Sequence, residues 1–306
     1  MSDSIGAKTM TDFSKWRYEP VTGFGRRLRA AVQEHGPLVA GIDPHAQLLE
    51  AWGTTDDAAG LRVFARTCLE AFAGHVAAIK PQAAFFERHG AAGMAVLEEL
   101  LADARERGLL TILDAKRGDI GSTMGAYADA FLRPGAPFEA DALTVSPYLG
   151  FGSLDPAVDL ARESGKGLFV LALTSNPAGP QVQHARGMRD TPVARIVAEE
   201  SERAGGGSAD RWGDIGLVVG ATVGSAFRDL GLEEIARTAP LLAPGFGAQG
   251  AGPAQMVDVF GSARDRVLVS VSRDLLRQGP DPDGLMTAAR TMNDLYRDAE
   301  DSSAPR

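Results

Sequence analysis

The chain has 306 residues, 44% of them hydrophobic, which is enough to bury a sizeable core as one large domain or two small ones. Lys+Arg 31 against Asp+Glu 40 gives a net charge of -9, which argues against a general nucleic-acid or anionic-membrane binder and requires any bound anion to meet local cations. The single cysteine excludes a disulfide framework within the chain and a cysteine-based metal site.

Residues 1–20, MSDSIGAKTMTDFSKWRYEP, lack the apolar run of a secretory signal, and no later stretch approaches 18 consecutive apolar residues. A cytoplasmic protein with no membrane span is expected. Apolar runs rich in Val, Ile and Leu then recur along the chain: PLVAGI from 37, VAAIK from 76, LLTILD from 109, ADALTVS from 140, GLFVLAL from 167, IGLVVG from 215, PLLAPG from 240 and RVLVSVS from 266. Stretches of helical period separate them. AAGMAVLEELLADARERG from 91 is one, with apolar residues three and four apart and Arg105 and Arg107 in its last turn. In another, LRVFARTCLEAFAG, Cys68 reads as a buried structural thiol, since nothing nearby would activate it.

Strands alternating with helices make parallel βαβ units, and continuous apolar runs suit strands covered on both faces. Eight such units predict an α/β chain folded as a (β/α)8 TIM barrel over residues 21–290. Residues 1–20 are expected to form an N-terminal capping segment, and 291–306 a polar C-terminal tail, frayed from RDAEDSSAPR onward. A doubly wound open sheet is the competing fold, but no G-x-G-x-x-G follows the first strand, where GIDPHAQ stands instead. Between the fifth and sixth strands, TSNPAGPQVQHARGMRD, a helix over about 191–204 and a Gly-rich GGGSAD turn make a long connection. It reads as a lid over a site or as a tolerated surface insertion.

In such a barrel, polar residues just past the C-terminal ends of strands face a shared mouth. Strand one delivers Asp43 there, strand two Lys80, strand three Asp114, Lys116 and Asp119, strand five Thr174, Ser175 and Asn176, and strand eight Ser272 and Arg273. PGFGAQG after strand seven, paired with Arg273, reads as a phosphate site, because glycines admit an anion close to backbone N–H groups and a guanidinium can grip it twice. A plain turn is the alternative for the glycines alone. Asp114, Lys116 and Asp119 could be a solvated loop with an N-capping aspartate, but Lys80 from the next strand makes a Lys, Asp, Lys, Asp set whose members hold one another ionised. Mg²⁺ on Asp114 and Asp119 is the chemical rival, and the interposed lysines oppose it. His45 and His184 read as surface or loop histidines rather than bases.

With those residues placed, the chain resembles the orotidine 5'-phosphate decarboxylase family, in the branch found in many bacteria including actinobacteria. LDAKRGDIGST fits the family's D-x-K-x-x-D-I-x-x-T signature, and GIDPH, IKPQAAFFE, SPYLGFGS, TSNP and PGFGAQG follow in the family's order across about residues 20–290. The resemblance implies a cofactor-free, metal-free decarboxylation of orotidine 5'-monophosphate to uridine 5'-monophosphate, the last step of de novo pyrimidine synthesis, in a homodimeric barrel. It implies Lys116 as the proton donor to pyrimidine C6, Asp114 beside the scissile carboxylate, and Lys80 and Asp119 completing a catalytic tetrad. Asp119, Ile120 and Thr123 would reach into the partner subunit's site. Asp43 and Lys80 would bind ribose, Ser175 would contact the pyrimidine, Asn176 would join the substrate-binding set, and Gln249 and Arg273 would grip the phosphate, with loops 175–190 and 244–250 closing over it. Two alternatives stand beside this reading. One is a Mg²⁺-dependent sugar-phosphate decarboxylase or synthase, whose relatives carry an acidic ligand where this chain has Lys80; the other is a non-catalytic nucleotide-binding barrel, which has no evident need for four clustered charges.

Overall fold

The computed structural model describes residues 23–301. Eight parallel strands close on themselves in chain order: β1 (Leu38–Ile42), β2 (Ala78–Pro81), β3 (Leu110–Arg117), β4 (Ala142–Val145), β5 (Gly167–Leu173), β6 (Ile215–Val219), β7 (Leu241–Pro244) and β8 (Val267–Val271). Closure comes from β1 pairing with β8, Val39 opposite Ser270. This is the (β/α)8 barrel expected from the apolar runs, and a closed sheet rules out the doubly wound alternative.

Two buried layers hold it. One face of each strand meets the surrounding helices, where Ile42, Phe64, Cys68, Phe72 and Leu143 are among the solvent-free residues. The Cys68 thiol is pushed well above its usual range, first by burial and then by Asp43, as suits an inert packing residue. The other strand face fills the barrel interior with Val39, Ala78, Ile112, Ala142, Phe169 and Leu268.

The helix Phe24–His35 closes one end of that interior by inserting Phe24 and Leu28, one turn apart and both solvent-free. Phe24 meets Phe169 edge-on with ring centroids 6.0 Å apart. Gly167 lies beneath it, and a Cβ there would fall 2.1 Å from the Phe24 ring, so only glycine admits the plug. Asp141 and Asp214 anchor the helix: Arg27 Nη1 donates to Asp141 Oδ1 at 2.6 Å and the Gly25 amide to Asp214 Oδ1 at 2.8 Å. Burying two large apolar side chains contributes on the order of 3–6 kcal/mol. The expected capping segment, residues 1–20, lies outside the described residues.

The C-terminal boundary differs from expectation. A single helix runs Pro282–Asp301, so residues 291–301 are helical rather than a polar tail. Leu285, Ala289 and Tyr296 form its buried stripe at helical spacing. Asn293, also buried, accepts from the Leu38 amide at 3.1 Å and donates to the His75 carbonyl at 2.9 Å, tying the helix to the starts of β1 and β2. Residues 302–306 lie outside the described residues. No helix among the described residues is long and apolar enough to cross a membrane.

Candidate active site

β3 does not stop at Asp114 but continues to Arg117, carrying its charged residues on the strand itself. Its register against β4 shifts between Leu113 and Arg117, a bulge of the kind that re-aims a side chain at a barrel rim. Lys116 sits in that bulge with φ 47, a left-handed conformation that costs an ordinary residue about 1–3 kcal/mol. Thr144 on β4 holds it there. The Thr144 hydroxyl accepts from the Lys116 amide at 2.9 Å and donates to Asp114 Oδ1, also at 2.9 Å. Asp114 and Lys116, two residues apart, thereby point the same way.

Their side chains meet. Lys116 Nζ donates to Asp114 Oδ1 at 2.5 Å, and Lys80 Nζ, from the end of β2, donates to Asp114 Oδ2 at 3.0 Å. Gln82, its amide turned to donate, reaches the same Oδ2 at 2.6 Å. Burial, the largest influence on Asp114, favours the neutral acid, but the Lys80 and Lys116 ammoniums outweigh it and hold the carboxyl well below the usual carboxylate range. Burial likewise works against the Lys80 ammonium, yet Asp114 and Asp43 overcome it and keep that group above the ordinary lysine value. The side chains of Lys80 and Asp114 are 9% and 12% exposed, while Lys116 is 43% exposed and opens toward a cavity.

That cavity, about 250 Å³, is bounded by the Lys80, Asp114, Lys116 cluster, by Ser175 and Asn176 after β5, and by Gln249. A second cavity, about 400 Å³, shares Lys80, Gln249 and Ser270 with it and continues to Asp43, His45 and Arg273. One mouth thus has a doubly cationic end and, across it, a guanidinium beside a glycine-rich turn. In that turn, Gly245 and Gly247 have φ 117 and 69, and a Cβ on Gly247 would lie 2.3 Å from Asp274 Oδ2. Phe246 packs behind the turn on Tyr296, ring centroids 5.2 Å apart. Burial, with Asp274 adding to it, pushes the Tyr296 hydroxyl up to about 12. Arg273 is exposed and makes no ion pair among the described residues.

The fold therefore brings Asp43, Lys80, Asp114, Lys116, Ser175, Asn176, Gln249 and Arg273 to one mouth. It does not bring Asp119, Ile120 and Thr123 there. Asp119 Oδ1 accepts from the Ile120 amide at 2.8 Å, Ile120 is 63% exposed and Thr123 is exposed on the helix Gly121–Leu132. Several residues at the mouth carried little or no sequence signal. Thr144 looked like any strand residue, though it is a hydroxyl in an otherwise apolar run. His45, assigned to the surface, is exposed but also lines the mouth, its ring 4.2 Å from that of Phe85. His184 ends the short helix Pro180–Gln183 and lines neither cavity. Neighbouring Gln183 fastens that helix to the end of β5: its Oε1 accepts from the Thr174 amide at 2.9 Å and its Nε2 donates to the Thr174 hydroxyl at 2.7 Å.

Known proteins share this architecture and sequence. The model of the Orotidine 5'-phosphate decarboxylase / HUMPS family matches residues 36–286. The orotidine 5'-phosphate decarboxylase of Streptomyces coelicolor is 56% identical over 271 residues, covering 87% of this chain and 94% of that one. That of a Nocardioides species is 53% identical over 277 residues, covering 90% and 98%. Among solved structures, one from Streptomyces avermitilis is 54% identical with a TM-score of 0.86, covering 91% of this chain and 96% of that chain. The Leishmania donovani OMP decarboxylase is 31% identical with a TM-score of 0.73. A family match that spans the whole barrel, with relatives more than half identical over nearly all of their own length, leaves one conclusion: this chain belongs to the orotidine 5'-phosphate decarboxylase / HUMPS family.

Proposed function

We propose that the chain converts orotidine 5'-monophosphate to uridine 5'-monophosphate and CO₂ with no cofactor, and that Lys116 supplies the proton. The C6–carboxylate bond breaks, CO₂ leaves, and the electron pair left on C6 takes a proton from Lys116 Nζ. Without a cofactor to delocalise that pair, a fixed positive charge must already stand where the anion develops. The carrying observation is that two ammonium groups share one buried carboxylate at the closed end of the mouth, at 2.5 and 3.0 Å from Asp114.

The same mouth offers groups for each part of the substrate. Arg273 and Gln249 would hold the phosphate, Asp43 and Lys80 the ribose hydroxyls, and Ser175 and Asn176 the pyrimidine. Binding the phosphate remote from C6 would order the 244–250 turn and the 175–190 connection, turning distant contacts into exclusion of water. Asp119, Ile120 and Thr123 are assigned to the site of a second copy. That assignment is supported by their position outside their own mouth and by the apolar surface around them, where Ile120, Tyr148 and Leu149 are 63%, 79% and 54% exposed at the neighbouring exits of β3 and β4. Phosphorylated substrate and product do not cross membranes unaided, so the enzyme is assigned to the cytoplasm, where its nucleotides are confined.

The test is direct. Purified protein with orotidine 5'-monophosphate and EDTA should lose pyrimidine absorbance, and Lys116→Ala should lose turnover while still binding uridine 5'-monophosphate. Activity that appears only with added Mg²⁺, or near-normal turnover by Lys116→Ala, would refute the proposal.

A further inference from the structure

We infer that Arg117 is a positioning residue that clamps the β3 bulge and so aims Lys116 at the mouth, an inference that rests on the reading of Lys116 as proton donor. Arg117 follows Lys116 directly and, by strand alternation, points the opposite way, into the helix layer. There its guanidinium packs against two rings. The carbon at its centre lies 5.7 Å from the ring centroid of Tyr127 and 5.7 Å from that of Phe131, which stand one turn apart on the helix Gly121–Leu132. Nη2 donates to Glu87 Oε1 on the short helix Ala84–Glu87, and Nη1 donates at 3.2 Å to the carbonyl of Ala115, inside the bulge itself.

One side chain therefore joins three pieces of the site. The helix with Glu87 follows β2, which delivers Lys80. The bulge carries Asp114 and Lys116. The helix with Tyr127 and Phe131 begins just after Asp119 and Ile120 and contains Thr123. The Arg117 backbone adds a fourth tie, its carbonyl accepting from the Ser146 amide at 2.7 Å at the exit of β4. A left-handed Lys116 is held against its own preference, so it needs restraint on both sides. Thr144 restrains its amide, and Arg117 fixes the residues immediately before and after it.

The guanidinium is planar and needs both its edges and its faces here, so no other side chain does all of this. Lysine could reach Glu87 as a point charge but could not also donate to Ala115 from the same aromatic slot.

The experiment compares Arg117→Met, Glu87→Gln and Lys116→Ala, measuring kcat, KM, the dissociation constant for uridine 5'-monophosphate and the folded fraction by circular dichroism. Arg117→Met is expected to lower kcat about 10²-fold, the scale of an ångström-size misplacement. Nucleotide affinity per folded molecule should stay within about threefold, since the phosphate and ribose contacts lie across the mouth. Glu87→Gln, which keeps the aromatic slot, should lower kcat in the same direction by a smaller factor; should Arg117→Met not fold, this variant decides by the same criterion. Kcat within about threefold of wild type for both variants, while Lys116→Ala is inactive, overturns the inference and leaves the proposed chemistry standing. A loss that merely follows the unfolded fraction, or that falls on nucleotide affinity instead of kcat, overturns it as well. Turnover by Lys116→Ala overturns the proton-donor reading and the inference with it.

Discussion

Thr144→Val removes a hydroxyl while conserving shape, and the structure states what is lost. Thr144 is 1% exposed, so water cannot replace it. Its bond from the Lys116 amide is neutral and contributes about 1 kcal/mol, while its bond to the Asp114 carboxylate is charge-assisted and contributes about 1.5–3 kcal/mol. The sum, about 2.5–4 kcal/mol, matches or exceeds the backbone strain of about 1–3 kcal/mol stored at Lys116. The bulge is then expected to relax rather than persist, withdrawing Lys116 from Asp114. At about 2 °C per kcal/mol for a domain of this size, the melting temperature should fall by about 5–8 °C. Kcat should fall with it, on the order of 10²-fold, because the proposed proton donor moves. Calorimetry and the absorbance assay measure the two effects on one preparation. Thr144→Ser is the control: it keeps both hydrogen bonds, loses one methyl group, and should cost only about 1 kcal/mol. A Thr144→Val enzyme that melts within about 1 °C of wild type and turns over within about twofold of it would refute the claim that this hydroxyl holds the bulge.

Removing the guanidinium in Arg273→Ala should raise KM for orotidine 5'-monophosphate by about 30- to 150-fold, the equivalent of about 2–3 kcal/mol of phosphate contact, and should leave the phosphate-free nucleoside unaffected; equal effects on both substrates would contradict the assignment. Mixing Asp119→Asn and Lys116→Ala subunits should restore about a quarter of wild-type activity, since half of randomly formed dimers would pair one intact Lys116 with the partner's intact Asp119. No gain on mixing would remove the shared site. Acid should destabilise the protein in a defined direction. Asp114 titrates at 3.8 when unfolded and lower when folded, so the unfolded chain binds the extra proton, and this group's contribution is fully present above pH 3.8 and lost as pH falls through the folded value. Asp114→Asn should therefore flatten the acid limb of the stability curve measured by urea unfolding, and an unchanged limb would show that the carboxylate carries no such linkage.

Sequence made the barrel legible because each strand is apolar on both faces and each connection is long enough for a helix. The cluster was legible too, since Lys80 and Asp114 end neighbouring strands and strand order alone brings them together. Thr144 was not, because β-branched threonine belongs in strands for reasons unrelated to chemistry, and its role depends on a bulge that shifts the β3–β4 register by two residues. Arg117 carried no signal of its own in the sequence, because the two rings it packs on stand on the following helix. The tail from 291 was misread because Thr291 and Asp294 lie on the exposed face of a helix whose inner face is sparse, with Asn293 doing by hydrogen bonds what an apolar residue would do by packing. Asp119 is a case of another kind: its sequence position marks it as part of the signature, but within one chain the backbone turns it away from its own mouth.

Saturation of Asp114 limits what this carboxylate can do. Its Oδ1 receives Lys116 Nζ and the Thr144 hydroxyl, and its Oδ2 receives Lys80 Nζ and the Gln82 amide. Those four donors occupy the four acceptor positions a carboxylate offers, so Asp114 has no site left to take a proton and is unsuited to act as a base. In the proposed reaction its part is to fix two cations before substrate arrives, which would remove the cost of reorganising them as charge develops. Of the two, Lys80 is nearly enclosed, whereas Lys116 spends one of its three protons on Asp114 and opens the rest toward the cavity. In the proposed reaction Lys116, having given a proton to C6, would be a neutral amine beside an ionised carboxylate, in a position 43% open to solvent. Water could reprotonate it there while the site stays assembled, so the bulge that aims Lys116 would also leave it accessible for the next turnover.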